Sequence, residues 1–188
     1  MRPLLILVCV LAFLTAGAAA LRADGSERPF AVLAEPREAD DALPADVLAS
    51  PTARYDLGDP ATARRVGRYR DGTYYVVDGA DAGHVCLVRH ERDVNVVAMC
   101  ASDGGEYERA PWFAVYDRHG RRASAALVPD GYTAAVLRFA DGTRRPLTLT
   151  RNVAFFSTAR TARLELRGPD QRTLTSPVPK TKAIRWKD

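Results

Sequence analysis

From about Arg70 onward the chain alternates short apolar and β-branched runs with turn dipeptides at intervals of roughly ten residues, the texture of an all-β domain. The expected strands cover 73–77, 84–89, 94–100, 112–116, 123–128, 132–139, 146–150, 153–157, 163–167 and 172–174. Between them stand Asp71-Gly72, Asp78-Gly79, Asp103-Gly104-Gly105, His119-Gly120, Asp130-Gly131, Asp141-Gly142 and Gly168-Pro169-Asp170. Asp141-Gly142 is the strongest hairpin signal, a dipeptide suited to positive φ at both turn positions. Leu147 and Leu149 oppose Thr148 and Thr150, and Leu164 and Leu166 oppose Arg163, Glu165 and Arg167, so these runs read as strands with one wet face. The fold class that follows is mainly β, an antiparallel β-sandwich or barrel-like single domain with short N-terminal helical segments. Its core is expected to draw on Tyr75, Val77, Val85, Leu87, Val97, Phe113, Val115, Leu127, Val136, Phe155, Leu164 and Leu166.

Before Arg70 the pattern is different. Residues 21–59 are rich in Ala, Pro and acid, with prolines at 29, 36, 44 and 51, and read as a linker-like segment with short elements. Residues 30–33 suggest a small strand or anchoring segment, and 39–48 one or two helical turns that lay Leu43, Val47 and Leu48 on the domain. Asp59-Pro60 supplies an N-cap and a proline at the first helical position, predicting a helix to about Val66. The organisation is then a leader at 1–20, the linker-like segment at 21–59, the β domain at 60–175 and a basic tail at 176–188.

The leader has a positive start at Arg2, an apolar run over residues 4–14 and a small-residue stretch ending at Ala20, the layout of a secretory signal peptide. Eleven residues of helix, at about 1.5 Å each, do not cross a hydrocarbon core of roughly 30 Å. Counted from Pro3 to Leu21, the uncharged stretch is also long enough for an uncleaved anchor. Either way the expected location is extracytoplasmic, secreted or held at the membrane by this segment alone.

That compartment changes the reading of the cysteines. Of three, Cys9 lies in the leader, leaving Cys86 and Cys100 on either side of a hairpin-like segment, which reads as a disulfide under oxidising conditions. His84, Cys86 and His90 share strand parity, and with Cys100 they make a second possibility, a metal or redox set with Met99 nearby. The formal charge of +4 divides unevenly: net −5 over 21–59 and net +8 over 60–188, with 24 Arg against 3 Lys in the whole chain. Such asymmetry suits an acidic envelope component or protein as partner. No nucleic-acid-binding motif accompanies the arginines.

The catalytic inventory is thin. There is no G-x-S-x-G elbow, and Ser102, Ser124 and Ser157 lie at strand ends without a local base. Asp40-Asp41 and Glu106 with Glu108 read as solvated turn acids, and no phosphate loop or calcium loop occurs. Trp112-Phe113 and the tyrosines at 74, 75, 107 and 132 suit either strand packing or a binding surface. No catalytic residue and no cofactor is assigned. The first expectation is a binding or structural module; a small secreted hydrolase using loop carboxylates or His119, and a metal or redox protein, are the alternatives.

The FAVLAEPREADDALP segment, the YYVVDGADAGHVCLV run, the cysteine of VVAMCAS, and LVPDGYTAAVLRFADG followed by RNVAFF together resemble a set of uncharacterised exported or membrane-anchored actinobacterial proteins. The likeness spans most of residues 30–157 and is most specific at Val85-Cys86-Leu87-Val88 with its partner cysteine and at Leu127-Val128-Pro129-Asp130-Gly131. It implies a β domain outside the cytoplasm and no particular activity. Tyr132 after the Pro-Asp-Gly turn and the bulky Phe155-Phe156 depart from that pattern.

Overall fold

A computed structural model describes residues 30–91, 96–101, 112–116 and 122–178. Its strands are β1 (Arg64–Tyr69), β2 (Gly72–Asp78), β3 (Val85–His90), β4 (Val97–Ala101), β5 (Trp112–Tyr116), β6 (Arg122–Leu127), β7 (Ala134–Phe139), β8 (Arg144–Leu147), β9 (Leu149–Thr150), β10 (Val153–Phe156), β11 (Ala162–Arg167) and β12 (Thr173–Pro177). They form three open four-stranded sheets: β1-β2-β3-β4, β5-β6-β10-β9 and β12-β11-β7-β8. All pairings are antiparallel.

The three sheets stack, because side chains alternate across a strand and the two cores take alternate residues of the middle sheet. Ala125, Leu127 and Val153 join Val66, Tyr74, Val76, Val85 and Leu87 of the first sheet in one core. Their neighbours Ala126, Ala154 and Phe156 join Ala135, Leu137, Leu164 and Leu166 of the third sheet in another. β6 is buried on both faces from Ala123 to Leu127, where apart from the buried Ser124 it carries only Ala and Leu. The chain passes from the third sheet to the middle one at Thr148, the single residue between β8 and β9.

The first sheet is covered on its outer face by α1 (Ala45–Ala49) and α2 (Pro51–Asp56). Leu43, Val47 and Leu57 pack there with Tyr75, Val77, Cys86 and Val88. Ser50 caps α2 by accepting a hydrogen bond from the Ala53 amide at 3.1 Å. Residues 30–59 are thus built into the fold: Phe30 and Val32 are fully buried in the core between the first two sheets. Leu48 differs from expectation and stays exposed, since one step along a helix rotates a side chain about 100° away from Val47.

Three local expectations need correction. The helix expected from Pro60 to Val66 is a 3-10 turn over Pro60–Thr62, capped by Asp59, and Arg64 already starts β1. Pairing of β1 with β2, kinked by a bulge between Arg65 and Gly67, outcompetes the N-cap signal. Residues 30–33 are also helical, a 3-10 turn over Ala31–Ala34. At Asp141-Gly142 only Gly142 has positive φ, at 82°, and the loop closes by Gly142 N donating to Phe139 O at 3.0 Å. Both central residues are left-handed at Arg151-Asn152 instead, φ 45° and 63°, joining β9 to β10.

The core expectation is met at Tyr75, Val77, Val85, Leu87, Leu127, Leu164 and Leu166, whereas Val97, Val136 and Phe155 are only partly buried. In β7 it is Ala135 and Leu137 that point inward, a one-residue change of parity fixed by the pairing of Leu137 with Leu164. The side chains of Phe113 and Val115, and residues 179–188 of the basic tail, lie outside what is described.

Candidate functional site

Cys86 and Cys100 are directly opposed in the β3–β4 ladder and are joined by a disulfide. The Asp56 carbonyl oxygen lies 3.4 Å from the Cys86 sulfur and 3.7 Å from that of Cys100, so the end of α2 sits on the bridge. Beneath it Gly79 leaves no space, since a Cβ there would come within 2.5 Å of the His84 Cβ. The metal set is not assembled. His84 and His90 stand at opposite ends of β3, roughly 20 Å apart at strand rise. Each faces its own carboxylate, His84 Nδ1 at 3.3 Å from Asp81 and His90 Nε2 at 2.8 Å from Asp46. The His90 hydrogen bond is the largest influence holding the Asp46 carboxyl below its ordinary value of 3.8. Among the described residues no cluster of three or more His, Cys, Asp and Glu could hold a metal ion.

Of the paired acids at 40–41, Asp40 is exposed to solvent as expected, whereas Asp41 is not. Asp41 is fully buried and accepts hydrogen bonds from the Arg65 amide at 2.7 Å and the Glu38 amide at 2.8 Å. Asp40 pairs with the Arg65 guanidinium. Arg151 reaches Glu35 at 2.7 Å and donates to the Arg65 carbonyl at 2.6 Å. Next to it, Asn152 accepts from the Val32 amide at 3.1 Å and donates to the Val128 carbonyl at 2.9 Å and to Asp130 at 2.8 Å. The left-handed turn therefore clasps the N-terminal segment to the Leu127–Gly131 loop. Much of the acidic excess of 21–59 is used up inside the molecule, as a docking charge.

At the other end of the first sheet Arg89 is buried to 1% exposure and pairs with Glu91 at 2.6 Å, beside Tyr74. Burial pushes the Tyr74 hydroxyl up to about 12. Gly72 belongs to this contact, because a Cβ there would lie 2.6 Å from Arg89 Nε. Ser124, one of the serines singled out in the sequence, is buried between the sheets and has no access to a substrate. His119, Ser102, Glu106, Tyr107 and Glu108 fall outside the described residues.

One open, concave surface lies where the edges of all three sheets meet. β1, β9 and β8 are edge strands of the first, middle and third sheets, and between them runs a cleft of about 570 Å³. Its aromatic side is built by Tyr69 from β1 and Phe155 from β10, stacked with ring centroids 5.6 Å apart and planes inclined by 14°. Tyr74 holds Phe155 from beneath, edge-on at 4.9 Å. Arg70 and Arg145 stand at the rim. The Arg145 guanidinium donates to the Ser157 carbonyl at 2.7 Å, and Arg70 lies over the Tyr69 ring at 5.6 Å. Thr148, Thr150 and Ser157 add neutral polar groups, and among the described residues no carboxylate and no histidine lines the cleft.

The described lining offers guanidinium donors beside an aromatic surface. Guanidiniums beside an aromatic surface attract a negative charge carried on a flat or apolar body. No general base faces a nucleophile within the described part of the cleft. Sequence reasoning missed this site because its residues come from three sheets and lie up to 88 positions apart, Tyr69 to Ser157, with no local motif. The one signal was Phe155-Phe156, where a second large aromatic broke the alternation. No helix among the described residues is long and apolar enough to cross a membrane. Comparison with protein-family models, curated proteins and solved structures finds no match.

Proposed function

We propose that the chain is an extracytoplasmic binding module of the cell envelope whose cleft takes a ligand with an anionic group on a flat or apolar body. The observation that carries this reading is the cleft itself: Arg70 and Arg145 beside the stacked Tyr69 and Phe155, without a lining carboxylate among the described residues. Export is supported by the leader-like N-terminus, and a compartment that oxidises thiols agrees with the Cys86–Cys100 bridge. The acidic partner suggested by the charge asymmetry becomes narrower here. The N-terminal acids already occupy Arg65 and Arg151, whereas no carboxylate among the described residues pairs with Arg70 or Arg145 at the cleft.

Phenyl phosphate, inorganic phosphate and phenol are the three probes that dissect the site. Calorimetric titration of the full chain is expected to give phenyl phosphate the tightest binding. Arg145→Gln lowers its affinity about tenfold, the scale of one charge-assisted contact, and Phe155→Ala removes the preference over inorganic phosphate. Equal affinity for all three probes, or unchanged binding in both variants, rejects the reading. Intact mass of protein recovered from medium and from membranes tests export: a species beginning near Leu21 supports secretion, and a full-length cytoplasmic species contradicts it.

A further inference from the structure

The solvent face of the third sheet carries a row of like charges whose two ends have no carboxylate partner among the described residues. β11, β7 and β8 are neighbours, and their registers place Arg163 opposite Arg138 and Arg138 opposite Arg144. Directly opposed side chains share a face, so three guanidiniums stand side by side across adjacent strands, spaced about 5 Å apart at Cβ. All three are exposed. The central one is tied down, Arg138 donating to Glu165 at 3.0 Å, and Arg167 binds the other oxygen of the same carboxylate at 2.6 Å. Glu165 is itself buried beneath these two arginines. Among the described residues no carboxylate pairs with Arg144 or Arg163, the two ends of the row. Like charges in direct register destabilise a sheet, and any neutral residue at 144 or 163 would relieve them.

We infer that this row is a contact surface for a linear polyanion, a chain bearing phosphate or carboxylate groups at short regular intervals, which lies across β11, β7 and β8. The surface is separate from the cleft: Arg144 and Arg145 project to opposite sides of β8, the first into the row and the second into the cleft. Charge complementarity and form select the occupant. The row is one guanidinium wide and three long, which matches an extended chain. A lipid surface is favoured less, because the exposed large apolar side chains among the described residues, Leu48 and Tyr55, lie on the helical segment at the opposite side of the stack. A single-stranded nucleic acid is also favoured less, since the row holds no aromatic side chain on which a base could stack.

The test uses the full chain with inorganic polyphosphate, phosphatidylglycerol vesicles and a single-stranded oligonucleotide as probes, at low and moderate salt. Wild type is expected to bind polyphosphate best and to weaken as salt rises. The double variant Arg144→Gln, Arg163→Gln is expected to lose roughly tenfold in polyphosphate affinity while its Tm stays level or rises. Arg144→Lys with Arg163→Lys retains most of the binding, and Arg68→Gln, an exposed arginine of β1, leaves it unchanged. Unaltered affinity in the glutamine variant, an equal loss in Arg68→Gln, or stronger binding to vesicles or oligonucleotide overturns the inference. Phenyl phosphate titration of the same double variant separates the two surfaces, for cleft binding persists whichever way the polyphosphate result falls.

Discussion

Asn152 occupies a left-handed turn position with φ 63° and uses both ends of its amide, to the Val32 amide on one side and to Val128 and Asp130 on the other. Asparagine tolerates that backbone better than most residues. Asn152→Ala is therefore expected to lose stability by about 2–4 kcal/mol, from three hydrogen bonds and added backbone strain, as read by urea denaturation. Asn152→Gly relieves the strain alone and is expected to fall between the two. Glu165 behaves as a titrating tie. Hydrogen bonds from Arg167 and then Arg138 hold its carboxyl below the ordinary 4.5. A depressed carboxylate stabilises the fold fully above its unfolded value and loses that contribution as pH falls through its folded value. Glu165→Gln is thus expected to cost about 1–3 kcal/mol at pH 7, with the gap to wild type closing below pH 4.5. A gap that stays constant from pH 7 to pH 3 contradicts this.

At the scale of elements, the sequence reads best where one face of a strand meets water. Leu147 and Leu149 are half-buried against exposed Thr148 and Thr150, and Leu164 and Leu166 are buried against exposed Arg163 and Arg167, although Glu165, expected on the same wet face, is buried. The β3–β4 hairpin is equally legible, because its cysteines are in register. Its bridge closes a short loop, a separation of 14 residues, and reduction is expected to lower stability by about 3 kcal/mol in the chain-entropy account. The middle layer, buried on both faces, could not be read. Ala125 and Ala126 face opposite cores, and small residues on both sides give no period to detect. Both are fully buried, so Ala126→Leu is expected to destabilise by about 1–3 kcal/mol through overpacking, measurable as a fall in denaturation midpoint. β1 was hidden for another reason: a capping signal at Asp59-Pro60 is local, whereas the ladder that makes 64–69 a strand is with residues up to twelve positions away.

On the scale of the whole molecule, the N-terminal segment is a covering layer of the stack and an ionic clasp. Phe30, Val32, Leu33, Leu43, Val47 and Leu57 are all buried. At about 1.5–3 kcal/mol for each buried side chain, they contribute on the order of the 5–15 kcal/mol that a typical domain has in total. The prolines that suggested a linker instead break this segment into turns short enough to follow the sheet. Candidate chemistry followed the same division: the disulfide pair was readable from two residues and a compartment, while the cleft required the edges of three sheets to meet. The central claim is that this meeting place binds an anion on an aromatic or apolar body. Its most direct test is a phenyl phosphate titration of isotopically labelled full chain followed by amide chemical shifts. Saturable shifts confined to Tyr69, Arg70, Thr148, Phe155 and Ser157 are the expected result. Shifts that cluster elsewhere, or that never saturate, would contradict it.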